Sequence, residues 1–232
     1  MKFLRSPACF VLLFWSVDSS ASVILTEDFE SPVIVSGGSV RVLPTGWVSH
    51  NGSTTNKRMI YPTGSSQFNT VAPLSAPAGG NQALLLRTLN QGTFRMTGHT
   101  ILNNTDYLLS AAIGNSILEE ADQYWSLQLW ADTNGSNSLD APDTFLKQEF
   151  GTNGAGTAMN ATSGNWITNS VSFNSSTDPS VVGQQLIVFL NNYGDANSES
   201  YYDNVMLSIV PEPSRAIMLL SGLLLLQFHR QR

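Results

Sequence analysis

The sequence predicts an all-β protein, an antiparallel β-sandwich between an N-terminal signal peptide and a short C-terminal hydrophobic helix. Three observations predict it. Apolar and polar residues alternate with period two in about ten short runs bounded by Gly, Asn, Asp and Pro, the pattern of half-buried antiparallel strands. Charged residues make up only 12% of the chain, while Gly, Asn, Ser and Thr are abundant, a composition that suits turns and disfavours helices. Beyond the termini, no run has a convincing helical period; only Glu119 and Glu120, within 116–122, could occupy one short helical turn.

In order, the strand-like runs are 23–29, 58–61, 83–89, 93–97, 107–113, 123–131, 145–150, 167–173, 184–191 and 201–209. In the clearest cases Tyr107, Leu109, Ala111 and Ile113 alternate with Leu108, Ser110 and Ala112. Tyr201, Asp203, Val205, Leu207 and Ile209 likewise alternate with Tyr202, Asn204, Met206 and Ser208. Ten strands without an amphipathic helix imply two packed sheets, a sandwich or jelly roll. Residues 31–38 and 151–164 read as loops, because strand-like runs resume on both sides. One domain, 22–209, is the economical count, and a globule of this size buries about 70% of its unfolded surface.

The start of the chain agrees with export. Lys2 and Arg5 form a basic n-region, 8–17 an apolar h-region, and Ser19-Ser20-Ala21 a small-x-small cleavage site, so 1–21 reads as a secretory signal peptide. The only cysteine, Cys9, lies inside it, which leaves 22–209 without disulfides, thiolate metal sites or a cysteine nucleophile. That stretch carries six basic residues (Arg41, Lys57, Arg58, Arg87, Arg95, Lys147) against fifteen acidic ones, a net of −9. Such a surface repels phosphate backbones, so nucleic acid is excluded as a partner.

At the other end, Pro211-Glu212-Pro213 fixes two φ angles around one carboxylate. Behind it come Ser214, Arg215, an apolar run over 216–228 and a basic tip with Arg230 and Arg232. Thirteen helical residues span roughly 20 Å, short of a hydrocarbon core of about 30 Å, so the run is marginal as an anchor and suits a temporary one. This order of parts resembles the PEP-CTERM sorting signal, over 210–232. The resemblance implies transient insertion in the inner membrane through the helix and processing by an exosortase-type membrane enzyme. Delivery to the cell surface or extracellular matrix of an exopolysaccharide-making Gram-negative bacterium would follow. A plain C-terminal anchor with a fortuitous Pro-Glu-Pro is the alternative.

The domain itself carries Asp28-Phe29-Glu30, Gly46-Trp47, Gly80-Asn81-Gln82-Ala83-Leu84-Leu85-Leu86, Tyr107-Leu108-Leu109-Ser110, Trp166 and Tyr202-Asp203-Asn204-Val205. This series resembles the galactose-binding-like jelly rolls, many carbohydrate-binding modules among them. Gly46-Trp47 should turn the chain and drop an indole into the core, burying roughly 200 Å². The last strand should pair near the first and bring Asp28 or Glu30 toward Asp203, where like charges repel. The resemblance implies a structural calcium there, with Asp28, Glu30 and Asp203 at the matching positions; the alternative is that Asp203 and Asn204 cap a turn. A second oxygen-rich stretch, Asp132 to Asp140 with Asp143 beyond, has the ingredients of a calcium loop. Its Gly135 comes too early for an EF-hand and no Glu follows at the twelfth position, so a polar hairpin loop is favoured.

Alternation from 123 puts Trp125, Leu127 and Leu129 in the core and Tyr124, Ser126, Gln128 and Trp130 on the opposite face. Tyr124, Gln128 and Trp130 then make a sugar platform, with Asn191, Asn192 and Tyr193 near it, unless the rings merely cover the sheet. His50 and His99 stand beside polar turn residues with no nucleophile elbow or zinc helix, and Glu119-Glu120 diverge as neighbours do. The expectation is therefore a non-catalytic exported surface or matrix protein whose domain binds exopolysaccharide. A secreted hydrolase of matrix polysaccharide is the alternative.

Overall fold

The computed structural model describes residues 21–34, 39–50, 57–60, 80, 82–87, 91–115, 124–151, 165–194 and 198–210, with backbone only for 57–60. The signal peptide up to Ser20, the sorting motif Pro211-Glu212-Pro213 with its helix, and the 116–122 turn lie outside the described residues. Among the described residues no helix is long and apolar enough to cross a membrane.

The described residues form twelve strands: β1 (Ser22–Glu27), β2 (Ser39–Val40), β3 (Trp47–Ser49), β4 (Lys57–Ile60), β5 (Ala83–Arg87), β6 (Gln91–Thr100), β7 (Asp106–Gly114), β8 (Trp125–Asp132), β9 (Thr144–Gly151), β10 (Trp166–Asn174), β11 (Gln185–Asn192) and β12 (Glu199–Val210). Each of the ten expected runs contains a strand. The short β2 and β3 were not legible, because two or three residues carry no measurable period. One sheet runs β10-β7-β12-β5-β4-β2, with β1 also on β12; the other runs β3-β6-β11-β8-β9. The expected antiparallel sandwich is the observed fold.

The core lies between the sheets and is built by alternation. Tyr107, Leu109, Ala111 and Ile113 from β7 meet Trp125, Leu127 and Leu129 from β8 and Leu186, Val188 and Leu190 from β11. Trp47 is buried in the same core, as Gly46, at φ +86°, permits. The predicted alternation of β12 fails at one place. A bulge between Asp203 and Met206, with Asn204 at φ +48°, changes the phase, so Tyr202, Val205 and Leu207 face the core while Tyr201 faces outward with Ala83 and Leu85.

That bulge also marks a change of partner. One edge of β12 pairs with β5 over Glu199 to Tyr202 and with β1 over Val205 to Ile209, leaving a notch beside Asp203. The first and last strands therefore pair as expected. The two sheets are clamped across the core edge by Glu27 of β1. Its Oε2 accepts from Arg95 Nη1 of β6 at 2.7 Å and from Trp47 Nε1 of β3 at 3.0 Å.

Candidate functional site

The outer face of the β3-β6-β11-β8-β9 sheet carries the densest set of rings. Alternation on β11 sends Leu186, Val188 and Leu190 inward and Ile187, Phe189 and Asn191 outward. Register then fixes their neighbours. Ile187 lies between Met96 and Trp130, Phe189 between Phe94 and Gln128, and Asn191 between Gly92 and Ser126. Beyond β8, the edge strand β9 sets Phe145 beside Trp130 and Phe150 beside Ser126. An outward sheet face is ordinarily polar; here Ile187 is 0% and Phe189 5% exposed. Part of the cover is Leu139, from the segment after β8, which packs onto Phe94, Ile187 and Phe189.

At the other end of this face the rings meet edge to face. Tyr193 packs against Tyr124 at 5.7 Å and Phe150 at 5.8 Å, and His50 packs against Phe189 at 5.1 Å. Burial, with a smaller push from Tyr124, raises the Tyr193 phenol to about 12, so it is a neutral donor at physiological pH. Its hydroxyl donates to Gly151 O at 3.2 Å. Tyr202 secures the platform from beneath. Its hydroxyl crosses from the other sheet, accepts from Ser126 N at 3.3 Å and donates to Asn191 O at 2.7 Å, and full burial pushes its pKa upward.

Of the expected sugar platform, Tyr124, Gln128 and Trp130 all lie on or at the end of this face. Gln128 is buried and its amide is committed: Oε1 accepts from Trp130 Nε1 at 2.8 Å, and Nε2 donates to Ser126 Oγ at 3.0 Å. Trp130 stands edge-on to Phe145 at 5.2 Å. Asn192 points inward: Nδ2 donates to Leu86 O and Ser198 O, and Oδ1 accepts from Gly194 N and Ser198 Oγ. Sequence reasoning missed Phe189, Phe94 and His50. Phe189 sits in an unbroken apolar run, where alternation gives no signal, and the polar turn residues beside His50 give no sign of its ring partner.

The carboxylates gather in the β12 notch. Glu30 Oε1 accepts from Gln82 N at 2.7 Å, an approach that requires Gly80, since a Cβ there would sit 2.5 Å from the same oxygen. Gln82 then ties down the chain after β1, donating to Phe29 O and Pro32 O and accepting from Ile34 N. Asp203 is fully buried; its Oδ1 accepts from Asn204 N at 2.7 Å, while Oδ2 has no partner. Burial chiefly, then repulsion from Glu30, Asp28 and Glu27, pushes its carboxyl up to about 8. Among the described residues no three His, Cys, Asp or Glu side chains converge as a metal cluster. A hard cation would thus need backbone carbonyls beside Asp203 and Glu30. The donor chemistry fits calcium: hard oxygens, mutual repulsion and one buried oxygen without a donor.

Two other polar groups are internally satisfied. Asp132 accepts from Ser136 N and Asn137 N, and Asp143 from Thr133 N and Asp140 N, so these carboxylates close a polar loop around backbone amides. On the outer face of the other sheet, Glu199 pairs with Arg87 and accepts from the Tyr201 hydroxyl.

Comparison with known proteins gives this geometry a family. No curated protein matches the sequence. An apo cyclase from Fischerella sp. superposes with a TM-score of 0.65 at 19% identity, covering 83% of this chain and 98% of its own. The Stig cyclase Fisc from Fischerella sp. TAU, solved with (3Z)-3-(1-methyl-2-pyrrolidinylidene)-3H-indole, gives 0.63 at 19%, covering 83% and 99%. A cyclase from Fischerella sp. TAU in complex with 4-(1H-indol-3-yl)butan-2-one gives 0.63 at 19%, covering 83% and 98%. At these identities the likeness shows the fold. The HpiC1-like family model, described as HpiC1 cyclase, matches residues 21–208. This match overturns the expectation of a non-catalytic, exopolysaccharide-binding surface protein, and with it the hydrolase alternative. The chain belongs to the HpiC1-like family.

Proposed function

We propose that the domain is a cyclase that closes a ring within an apolar, indole-bearing substrate held on the outer face of the β3-β6-β11-β8-β9 sheet. The family match over 21–208 carries this reading, and the indole ligands of the Fischerella cyclases suggest the substrate class. Intramolecular ring closure has no external nucleophile and no hydrolytic water. The protein has to fold the substrate so that the reacting carbons meet, keep water away and stabilise developing positive charge. Phe189, Phe94 and Trp130 supply apolar ring surface for the first task, and the ring faces around Tyr124, Tyr193 and Phe150 attract positive charge. His50, edge-on to Phe189, is the basic side chain at this face among the described residues and suits holding a proton there.

The test is turnover of indoles carrying an unsaturated side chain, followed by chromatography with mass detection. The expected product is a ring-closed isomer of unchanged mass. Phe189→Ala should slow its formation roughly tenfold or more through lost positioning. An undiminished rate in that variant would remove this face as the reaction site.

Calcium in the β12 notch is the accompanying proposal. Asp203 and Glu30, with Asp28 beside them, would hold the ion together with backbone carbonyls, supported by the unpartnered Asp203 Oδ2. Its role would be structural, closing the gap where β12 changes partner from β5 to β1. Export through the signal peptide and the Pro211-Glu212-Pro213 tail would deliver this enzyme outside the cytoplasm. Mass spectrometry of both termini of the native protein tests that route, and intact ends would refute it.

A further inference from the structure

Asn191 and Asn192 are adjacent on β11 and are treated in opposite ways. Asn192 faces the core side with both ends of its amide satisfied. Asn191 faces the ring-lined surface, and its Oδ1 is buried without a partner. Neither cross-strand neighbour supplies a donor. Across β8, Ser126 Oγ accepts from the Gln128 amide and makes no bond to Asn191 Oδ1. Across β6 stands Gly92, which has no side chain. A Cβ on Gly92 would lie 3.2 Å from Asn191 Oδ1 and 2.3 Å from the Phe189 ring, so glycine is what lets that ring lie against β6 beside this oxygen. A buried acceptor without a donor is costly, and such groups in native proteins call for an explanation. A donor arriving with a ligand is one.

We propose that Asn191 is a substrate-positioning residue whose Oδ1 accepts a hydrogen bond from an N–H donor on a flat apolar ligand of the indole class. The assignment rests on the reading of this face as the cyclase site and deepens it by fixing the ligand's orientation. The ring packs on Phe189 while its N–H edge points along β11 to Asn191. The carboxamide accepts without exchanging a proton, so the bond orients the substrate and leaves its charge unchanged.

The experiment measures calorimetric binding of 4-(1H-indol-3-yl)butan-2-one and of its indole N-methyl derivative to wild type, Asn191→Leu, Asn191→Asp and Phe189→Ala. Wild type should prefer the N–H compound by roughly five- to tenfold, the worth of one neutral hydrogen bond. Asn191→Leu should bind both compounds alike, and Asn191→Asp, which keeps an acceptor, should retain the preference. Because the oxygen has no partner inside the protein, Asn191→Leu should melt at or above the wild-type temperature. A preference that survives in Asn191→Leu, or a melting temperature that drops by several degrees, overturns the assignment while leaving the site standing. Binding that Phe189→Ala does not weaken refutes the site itself.

Discussion

At the scale of single residues, burial sets the protonation preference of a histidine. His99 Nε2 lies 3.3 Å from Tyr107 Oη, which itself accepts from Leu102 N at 2.8 Å. Burial lowers the His99 pKa. A depressed folded-state value means that the unfolded chain takes up the proton first as pH falls. Stability is therefore full above the unfolded value, about 6.5, and declines as the pH drops below it. Urea melts of wild type and His99→Gln between pH 7.5 and 5 should diverge, with the steeper loss in wild type; parallel curves would contradict this role. The carboxylates of Asp132 and Asp143 are instead satisfied by backbone amides of their own loop.

At the scale of elements, β6 illustrates how one glycine serves a face and another serves a bend. Gly92 has ordinary strand geometry, but a Cβ would overlap the Phe189 ring at 2.3 Å. Gly98, at φ +70°, has open space around its missing Cβ. Gly92→Ala should cost about 1–3 kcal/mol through overpacking and weaken indole binding, because Phe189 must move. Gly98→Ala should cost about 1–2 kcal/mol from backbone strain alone and leave binding intact. Chemical denaturation and calorimetry on both variants separate the two causes. Tyr202 is the complementary device: rooted on β12, it reaches through the core to bind the backbones of Ser126 and Asn191 and so holds β8 and β11 in place under the site.

At the scale of the molecule, the notch beside Asp203 is where β1, β5 and β12 come together. If calcium fills it, chelator should lower the melting temperature of wild type, since an ion that binds only the folded form stabilises it by mass action. Asp203→Asn should remove one member of the repelling set, making the metal-free protein more stable than metal-free wild type and abolishing its response to calcium. A wild type whose melting ignores both chelator and calcium would end the proposal. Folding and the site are thus linked only indirectly: the notch steadies β12, and through Tyr202 the platform.

The sequence by itself determined the class of fold, because burying one face of a strand forces apolar residues into period two wherever a sheet covers a core. Alternation alone assigns Tyr107, Leu109, Ala111 and Ile113, with Trp125, Leu127 and Leu129, to the interior, and the sequence also places β1 beside β12. Tertiary structure alone decided the phase of β12, since a bulge at Asp203 erases local periodicity, and it alone assembled the ring-lined face. That face draws His50, Phe94, Trp130, Phe150 and Phe189 from five separate stretches of chain, and in β11 both faces are apolar, so no alternation marks which side is outward. The proposed ring closure is illegible for a further reason: it needs shape and exclusion of water, and neither leaves a nucleophile or a pair of acids to be read in a sequence.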